Sequence, residues 1–342
     1  MVIKFINADC FDYIANNIDD NTLDAVITDP PYFLDSMGTN EAWDSDKLSN
    51  YKTNNQIVSS LKSGMKFDKQ QGIDFQEAMS RLGNAVISKL KPGGWLVAFS
   101  APRLYHRLGV AFEDAGFEIR DMMEWLYLQN QMKAMGLQRK LIKDNNNITD
   151  DEYKMMSDEL SSWKTPQMKS CFEPIVLAQK PREGTFYDNW KKYHVGLVNV
   201  RSNVGIDSNQ ATANVMTTDD FSDYDDRINH AFPVSKPNKA EKAGANHPSV
   251  KPIALMKRII EILVPKNGLI LDPFNGSGTT GFAAFESKVN FIGTEINDSY
   301  YKQSLLRASN LGYSYVNINS DNVINGVILK KSEETGTLFD SE

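Results

Sequence analysis

The sequence predicts an α/β fold with a mostly parallel, doubly wound sheet. Short apolar runs alternate with amphipathic helical stretches in the first 128 residues and again after residue 246, which is the pattern of β-α-β units. In each half, one apolar run stops at an aspartate, Asp29 or Asp272, and the residues that follow cannot continue a strand. We therefore expect one sheet built from both ends of the chain, with ligands bound at the carboxyl ends of its strands.

Composition limits the class of protein. The 342 residues are 41% apolar, enough for a substantial core, and no run approaches the ~18 apolar residues of a membrane span. Cys10 and Cys171 lie far apart, which argues against a disulfide framework or a cysteine-rich metal site, and the chain opens on a strand-like run. We expect cytosolic residence and no bound metal. The formal net charge of −7 weighs against a nucleic-acid partner, although a local basic face can still bind phosphate.

Residues 1–128 form the first part of the predicted α/β domain. The patterns predict strands over residues 2–6, 24–27, 95–100 and 117–127, and helices over residues 11–16, 74–90 and 103–115. We expect residues 91–94, Lys-Pro-Gly-Gly, to end the second helix and Gly116 to cap the third. Residues 33–72 are polar and directly follow Tyr32, and a loop of this length in a compact domain is typical of a functional lid.

Residues 129–246 interrupt this alternation and are predicted to be an insert with a different role. The insert contains one apolar strand, over residues 174–178, among Gly-rich loops and an acidic run. It also contains a basic run free of acidic residues, made of Lys133, Arg139, Lys140 and Lys143. Contacts to nucleic-acid phosphates and a solvated face are both open interpretations of this run.

The alternation returns in residues 247–318, which form the second part of the predicted domain. A helix is predicted to start at Pro252, and the remaining elements are strands over residues 269–271 and 290–294 and helices to about residue 288 and over residues 299–311. Residues 319–342 are predicted to be a polar tail with one apolar patch, 323–329.

The Gly-rich turn over residues 272–281 predicts a site for an adenosine-containing cofactor. Its glycines allow close approach of a ligand, the following helix N-terminus favours an anionic group, and Glu295 at the end of the next strand suits ribose hydroxyls. A Walker phosphate loop is rejected because Thr279 stands where its lysine belongs. From this stretch alone, three interpretations remain open: a dinucleotide site, an S-adenosylmethionine site and a turn that binds no ligand.

The stretch Asp29-Pro30-Pro31-Tyr32 predicts a site that holds an amino group on a flat ring. Two prolines stop the preceding strand and leave the Asp29 carboxylate, rigid carbonyls and an aromatic ring at its carboxyl end. Hydride transfer does not need such acceptors. Methylation of an exocyclic amine does, because the amine's lone pair is delocalised into the ring. Acceptors for its two N–H bonds favour a lone pair localised on the nitrogen. Tyr32 could stack on a base flipped out of a duplex. The alternative is a Pro-Pro turn with a surface tyrosine and no functional role.

These stretches resemble motifs of the amino-methylating DNA methyltransferases. Residues 29–32 look like the D-P-P-Y catalytic motif, residues 274–278 look like the cofactor motif, and their order along the chain is similar to the β-class arrangement. Residues 247–252 resemble the H-P-[ST]-x-K-P element of that class, and residues 8–10 resemble its G-D-C element with Ala in place of Gly. The resemblance implies a Rossmann-like, S-adenosylmethionine-dependent methyltransferase fold in which residues 129–246 contain much of the target-recognition region.

The resemblance also implies roles for individual residues. The catalytic group comprises Asp29, Pro30, Pro31 and Tyr32. The cofactor-binding group comprises Asp9, Cys10, His247, Ser249, Lys251, Asp272, Phe274, Asn275, Gly276, Ser277, Gly278, Thr279 and Glu295. Asp9 could instead be the N-cap of a helix, and Lys251 could neutralise the cofactor carboxylate or simply be solvated.

The function implied is transfer of a methyl group from S-adenosylmethionine to the N6 amino group of a flipped-out adenine in duplex DNA. Asp29 at the head of the motif favours adenine, because the N4-cytosine enzymes similar to this class usually have Ser there. Methylation of cytosine N4, methylation of RNA, and DNA binding without catalysis remain alternatives. The resemblance makes a homodimer and a cognate restriction enzyme plausible partners, and a bacterial cell or a phage the expected source.

Overall fold

A mixed sheet of eleven strands runs through the described part of the chain. The computed structural model describes residues 1–31, 69–127, 136, 149–166, 168, 170–199, 214–217, 232–234, 236–245, 250–318 and 325–331. The strands are β1 (Ile3–Asn7), β2 (Leu23–Thr28), β3 (Leu90–Phe99), β4 (Glu118–Leu126), β5 (Phe172–Gln179), β6 (Val215–Thr217), β7 (Phe232–Pro233), β8 (Leu269–Asp272), β9 (Asn290–Glu295), β10 (Tyr313–Ile318) and β11 (Asn325–Lys331).

Nine helices are described with these strands. They are α1 (Cys10–Asn17), α2 (Lys69–Ile87), α3 (Tyr105–Asp114), α4 (Asp150–Leu160), α5 (Phe186–Tyr193), α6 (Lys239–Lys242), α7 (Ile253–Leu263), α8 (Thr279–Glu286) and α9 (Asp298–Asn310). No helix in the described ranges is long and apolar enough to cross a membrane.

The strand order is β10-β11-β1-β9-β8-β2-β3-β5-β4-β6-β7. The five central strands, from β1 to β3 in this order, are parallel to one another. From β8 the chain continues to β9 on one side, and from β2 it continues to β3 on the other side, so the topological switch point lies between β2 and β8. This arrangement confirms the predicted doubly wound α/β sheet and brings the predicted catalytic and cofactor strands side by side, with Val26 opposite Leu271.

Burial explains why these runs become central strands. All six residues of β2 are buried, because helices cover both faces of a parallel sheet. The apolar positions of the flanking helices complete the core, among them Phe75 and Met79 of α2 and Leu255 and Ile259 of α7, each at most 1% exposed.

The boundary between α2 and β3 differs from the prediction. Helix α2 begins at Lys69, inside the predicted lid, and ends at Ile87. Residues 91–94 do not end the helix but lie within β3, where the register against β2 shifts. Gly93 adopts φ +78°, and the amide of Gly93 and the carbonyl of Gly94 both bond to Lys180, so the glycines form a bulge that stays hydrogen-bonded to the neighbouring chain.

Strand β5 also departs from the predicted domain boundaries. Residues 172–179 were assigned to the insert, but they form an antiparallel strand between β3 and β4 in the main sheet. Residues 174–179 are all buried, and this burial requires the interior of a sheet rather than a peripheral loop.

The predicted polar tail contains a strand of the sheet. Strand β11 pairs antiparallel with β1 and with β10, so residues 325–331 of the predicted polar tail belong to the sheet. The physical reason is the alternation of the apolar patch, which places Val327 and Leu329 in the core at 1% and 3% exposure.

Candidate active site

Asp272 joins the two predicted motifs at the switch point. Its Oδ1 accepts hydrogen bonds from Thr28 Oγ1 at 2.7 Å and from the Phe274 amide at 3.1 Å. Its Oδ2 accepts a bond from Thr280 Oγ1 at 2.6 Å. Burial raises the pKa of this carboxyl to about 6, against the effect of these three donors. Asp272 therefore braces the cofactor turn against the strand that leads into Asp29.

The Gly-rich turn forms a tight cradle ahead of α8. Gly276 and Gly278 adopt φ +49° and +84°, which residues with side chains rarely do, and a Cβ on Gly278 would lie 2.8 Å from the Phe5 ring. Asn275 is 5% exposed, and both polar atoms of its amide lack a hydrogen-bond partner within the described ranges. A buried amide without partners next to a helix N-terminus fits a site whose ligand supplies them.

Glu295 ends β9 beside this turn. Its Oε2 accepts a bond from the Gly276 amide at 3.0 Å, and its Oε1 accepts one from the Asn297 amide at 2.8 Å. Burial raises the pKa of the Glu295 carboxyl to about 7. Glu295 thus shapes the turn directly, and each of its oxygens retains a further lone pair that could accept a bond from a ligand hydroxyl.

Asp9 and Cys10 lie at the start of α1, where the Ala8 amide bonds to the Glu295 carbonyl at 3.2 Å. Asp9 is the N-cap of α1, and its Oδ1 accepts bonds from the amides of Phe11 and Asp12 at 2.8 and 3.2 Å. The Cys10 side chain is buried, and burial together with the Asp9 charge raises the pKa of its thiol. The capping role considered for Asp9 is therefore present, and the Cys10 side chain packs in the core.

Lys251 occupies a position that neither sequence interpretation anticipated. It is not solvated: its side chain is 6% exposed, and its Nζ lies 2.5 Å from Asp29 Oδ2 and 3.0 Å from Glu173 Oε2. Burial alone would lower the pKa of the ammonium, but the two carboxylates outweigh burial and raise it. The Phe99 ring, with its centroid 5.0 Å from Nζ, forms another wall of this ion cluster.

Arg307 of α9 is a second buried cation, located behind the Gly-rich turn. Its side chain is fully buried, and its Nη1 donates to Thr279 Oγ1 at 2.6 Å, to Ser277 Oγ at 3.1 Å and to the Ser277 carbonyl. Its Nε donates to the Glu241 carbonyl at 3.0 Å. The predicted cofactor residues Ser277 and Thr279 therefore have their hydroxyls held from behind by a guanidinium.

The remaining predicted residues divide into two groups. Pro30 is buried directly after Asp29, Pro31 is half-buried, and Phe274 is half-buried and packs against the core. The other group lies outside the described residues and consists of Tyr32, His247, Ser249, Lys133, Arg139, Lys140 and Lys143. Within the described ranges, no three His, Cys, Asp or Glu side chains are grouped as a metal site.

Sequence reasoning missed Glu173 and Arg307. Glu173 immediately precedes the predicted strand over residues 174–178 and was not assigned to the site, although residues 172–181 resemble a stretch of related adenine methylases. Arg307 did carry a signal, because it falls on the buried face of α9 that includes Tyr301, Ser304 and Ala308. A cation on such a face predicts a buried partner.

The fold is a doubly wound α/β sheet, and this site places Asp29 beside a Gly-rich turn at its switch point. Comparison with known proteins makes the class specific. A family model described as DNA methylase, of the N6/N4 type, matches residues 23–306. The chain therefore belongs to the N6/N4 DNA methylase family, and the protein is a DNA methyltransferase.

Curated relatives agree with this assignment, and a solved structure shares the fold. The chain is 28% identical over 318 residues to the type II methyltransferase M.HindIII of Haemophilus influenzae, covering 90% of this chain and 95% of that protein. It is 52% identical over 62 residues to the DNA adenine methyltransferase YhdJ of Escherichia coli, covering 18% and 21%. The PvuII DNA methyltransferase, described as cytosine-N4-specific, has a similar fold, with a TM-score of 0.54, 12% identity and coverage of 93% and 87%.

Proposed function

We propose that the protein transfers a methyl group from S-adenosylmethionine to the N6 amino group of an adenine in duplex DNA. The observation that carries the proposal is the hydrogen bond from Thr28 to Asp272, because it fixes the Asp29 acceptor beside the cofactor cradle. Adenine is favoured over cytosine by Asp29 at the head of the motif. The similarity of a short stretch to a protein named DNA adenine methyltransferase also supports adenine.

The residues of the cradle fit S-adenosylmethionine. The amides at the start of α8, with the positive end of the helix dipole, suit its carboxylate. The free lone pairs of Glu295 suit its ribose hydroxyls, and the buried amide of Asn275 can both donate and accept. When bound, S-adenosylmethionine supplies the electrophilic methyl group.

The chain contributes positioning and hydrogen-bond acceptors. The Asp29 carboxylate and the Pro30 carbonyl would each accept one N–H bond of the adenine amino group, which favours a nitrogen whose lone pair is localised for attack. Methyl transfer would leave the nitrogen positively charged, and Asp29 would stabilise this charge until one proton passes to solvent. For the amine to reach Asp29 beside the cofactor cradle, the base would have to be flipped out of the helix. Tyr32 is proposed to stack on that base.

Target recognition is proposed for the parts of residues 129–246 that lie outside the main sheet. Lys133, Arg139, Lys140 and Lys143 would contact DNA phosphates, since a protein with a net charge of −7 needs a local basic surface to bind DNA. A homodimer, a cognate restriction enzyme and a bacterial or phage origin are further proposals. The naming of a bacterial relative as a type II methyltransferase supports the restriction partner.

The function is tested by methyl transfer from methyl-labelled S-adenosylmethionine to mixed-sequence duplex DNA, followed by mass spectrometry of the digested nucleosides. We expect N6-methyladenine. N4-methylcytosine would select the alternative suggested by the fold of the PvuII enzyme, and transfer to RNA alone would select an RNA methyltransferase. Cofactor binding without transfer to any of these substrates would overturn the proposal.

The role of Asp29 is tested by Asp29→Ala. We expect the single-turnover rate of methyl transfer to fall by about 10³-fold or more, because the principal acceptor of the amine is lost. The affinity for S-adenosylmethionine, measured by calorimetry, should stay within about threefold of wild type. Asp20→Ala is the control, since Asp20 is an exposed acid at the opposite edge of the sheet, paired with Lys89. Equal rates for wild type and Asp29→Ala would refute the role.

A further inference from the structure

Glu173 places a carboxylate at the catalytic edge from an antiparallel strand. It is the second residue of β5, which runs antiparallel to β3, so the start of β5 lies beside the carboxyl ends of the parallel strands. Glu173 pairs in register with Trp125 of β4. The catalytic edge therefore holds a second carboxylate close to Asp29, contributed by a residue outside the predicted site.

The Lys251 ammonium lies between these two carboxylates, but its two contacts are unequal. The contact with Asp29 Oδ2, at 2.5 Å, is a hydrogen bond and an ion pair. The contact with Glu173 Oε2 is a longer ion pair, at 3.0 Å. Lys251 thus lies closer to Asp29 and has a second carboxylate within reach.

This arrangement weakens Asp29 as an acceptor while the ammonium stays bonded to it. Asp29 must accept an N–H bond from the substrate amine, yet the charge of Lys251 offsets that of the carboxylate and already uses one of its lone pairs. A cation that is 6% exposed cannot be left unpaired, since an isolated buried charge is strongly unfavourable. Rotation of the ammonium towards Glu173 would keep it paired and free the oxygen of Asp29.

We infer that Glu173 is a positioning residue that takes over the Lys251 ammonium when the substrate amine binds to Asp29. The inference rests on the proposed function of Asp29. Glu173 acts through Lys251 and touches neither the substrate nor the cofactor. Other ionisable groups also act on Glu173, namely Tyr127 and Lys236, with Lys236 Nζ 3.8 Å from the centroid of the Tyr127 ring.

The test is the variant Glu173→Gln, which keeps the shape of the side chain and removes its charge. We expect the single-turnover rate of methyl transfer to fall by about 10- to 100-fold, because Lys251 then competes with the substrate for Asp29. The dissociation constants for S-adenosylmethionine and for duplex DNA should change by less than about threefold. Glu173→Asp restores the charge and should recover part of the rate. Glu118→Gln, at the opposite end of the same strand pair, is the control.

A double-mutant cycle separates this role from a merely structural one. If Glu173 acts through Lys251, Glu173→Gln should have little further effect on the rate in a Lys251→Met background, so the two losses will not add. Additive losses, or a full wild-type rate in Glu173→Gln, would overturn the inference. A wild-type protein that binds cofactor and methylates no nucleic acid would overturn the proposed function instead. Urea unfolding of each variant shows whether a lower rate reflects loss of the fold. A higher rate in Glu173→Asp than in Glu173→Gln would show that the negative charge at this position matters.

Discussion

Arg307 shows how a single buried cation can organise a cofactor turn. Its hydrogen-bond acceptors are two hydroxyls and two carbonyls, and no carboxylate within the described ranges lies in ion-pair distance of its guanidinium. Burial lowers the pKa of Arg307 to about 10, which still leaves it charged at neutral pH. The charge therefore lies behind the N-terminus of α8 and adds to the positive potential that favours an anionic ligand group.

We expect Arg307→Met to weaken both the fold and cofactor binding. The change leaves the hydroxyls of Ser277 and Thr279 without their donor, and it should lower the free energy of unfolding by about 2–4 kcal/mol. The dissociation constant for S-adenosylmethionine should rise by about tenfold. Urea unfolding and calorimetry measure the two effects. Arg81→Met is the control, because Arg81 is exposed and stacks on Phe11, away from the Gly-rich turn. Equal effects in the two variants would contradict the role of Arg307.

Glu295 predicts a pH dependence of stability. Its pKa is raised from 4.5 to about 7 in the folded protein, so the stability it contributes is fully present below pH 4.5 and is lost as pH rises through about 7. This difference corresponds to about 3 kcal/mol. The free energy of unfolding of Glu295→Gln, relative to that of wild type, should therefore rise by about 3 kcal/mol between pH 4.5 and pH 8. Urea titrations without cofactor measure it, and a constant difference across this range would contradict the prediction.

At the residue scale, sequence reasoning reached Asp29 and the Gly-rich turn but not the ion pairs around them. The Asp29 and Gly276–Gly278 motifs are local, and their occurrence together in one chain predicts a shared site. The partner of Lys251 is a glutamate on a distant strand, and its identity depends on an antiparallel pairing that no local pattern encodes. The capping bonds of Asp9 were foreseen as an alternative because helix N-caps have a local signature.

At the scale of elements, strands of the parallel core were predicted well and elements at their margins were not. Fully apolar runs such as β2 and β8 have one stable environment, the interior of the sheet. The bulge at Gly93 looked like a helix stop, because Pro-Gly-Gly is a turn signal wherever it occurs. Strand β11 was missed because its pairing partner, β1, lies at the other end of the sequence.

The docking of β11 is tested by Leu329→Ala. The side chain is 3% exposed, so its truncation should lower the free energy of unfolding by about 2–4 kcal/mol. Val316→Ala is the matched control from the neighbouring strand β10, where the side chain is 51% exposed, and it should change stability by less than about 0.5 kcal/mol. Chemical denaturation measures both, and a neutral Leu329→Ala would show that β11 contributes little to the sheet.

At the scale of the whole molecule, an acidic protein must bind a polyanion through a restricted surface. We expect the combined replacement of Lys133, Arg139, Lys140 and Lys143 by alanine to weaken DNA binding and to reduce the slope of log K against log salt by about 3. Fluorescence anisotropy at several salt concentrations measures the slope. The control is the replacement of Lys191 and Lys192 on α5, near the amino end of β3, which should leave the slope unchanged. An unchanged slope in the fourfold variant would assign these residues to a solvated face.

The pairing of β1 with β11 would allow the chain to be circularly permuted while every strand keeps its place in the sheet. Because the two strands are antiparallel, the end of β11 lies at the same edge as the start of β1. A short linker joining these points would close the chain into a ring without moving any strand, and the exposed turn at Asp20-Asn21 offers a place to open it. Such a circular permutant should keep the adjacency of β2 and β8. An opening between the two motifs, in place of one before Asp29, would reverse the order in which they are translated without moving either strand.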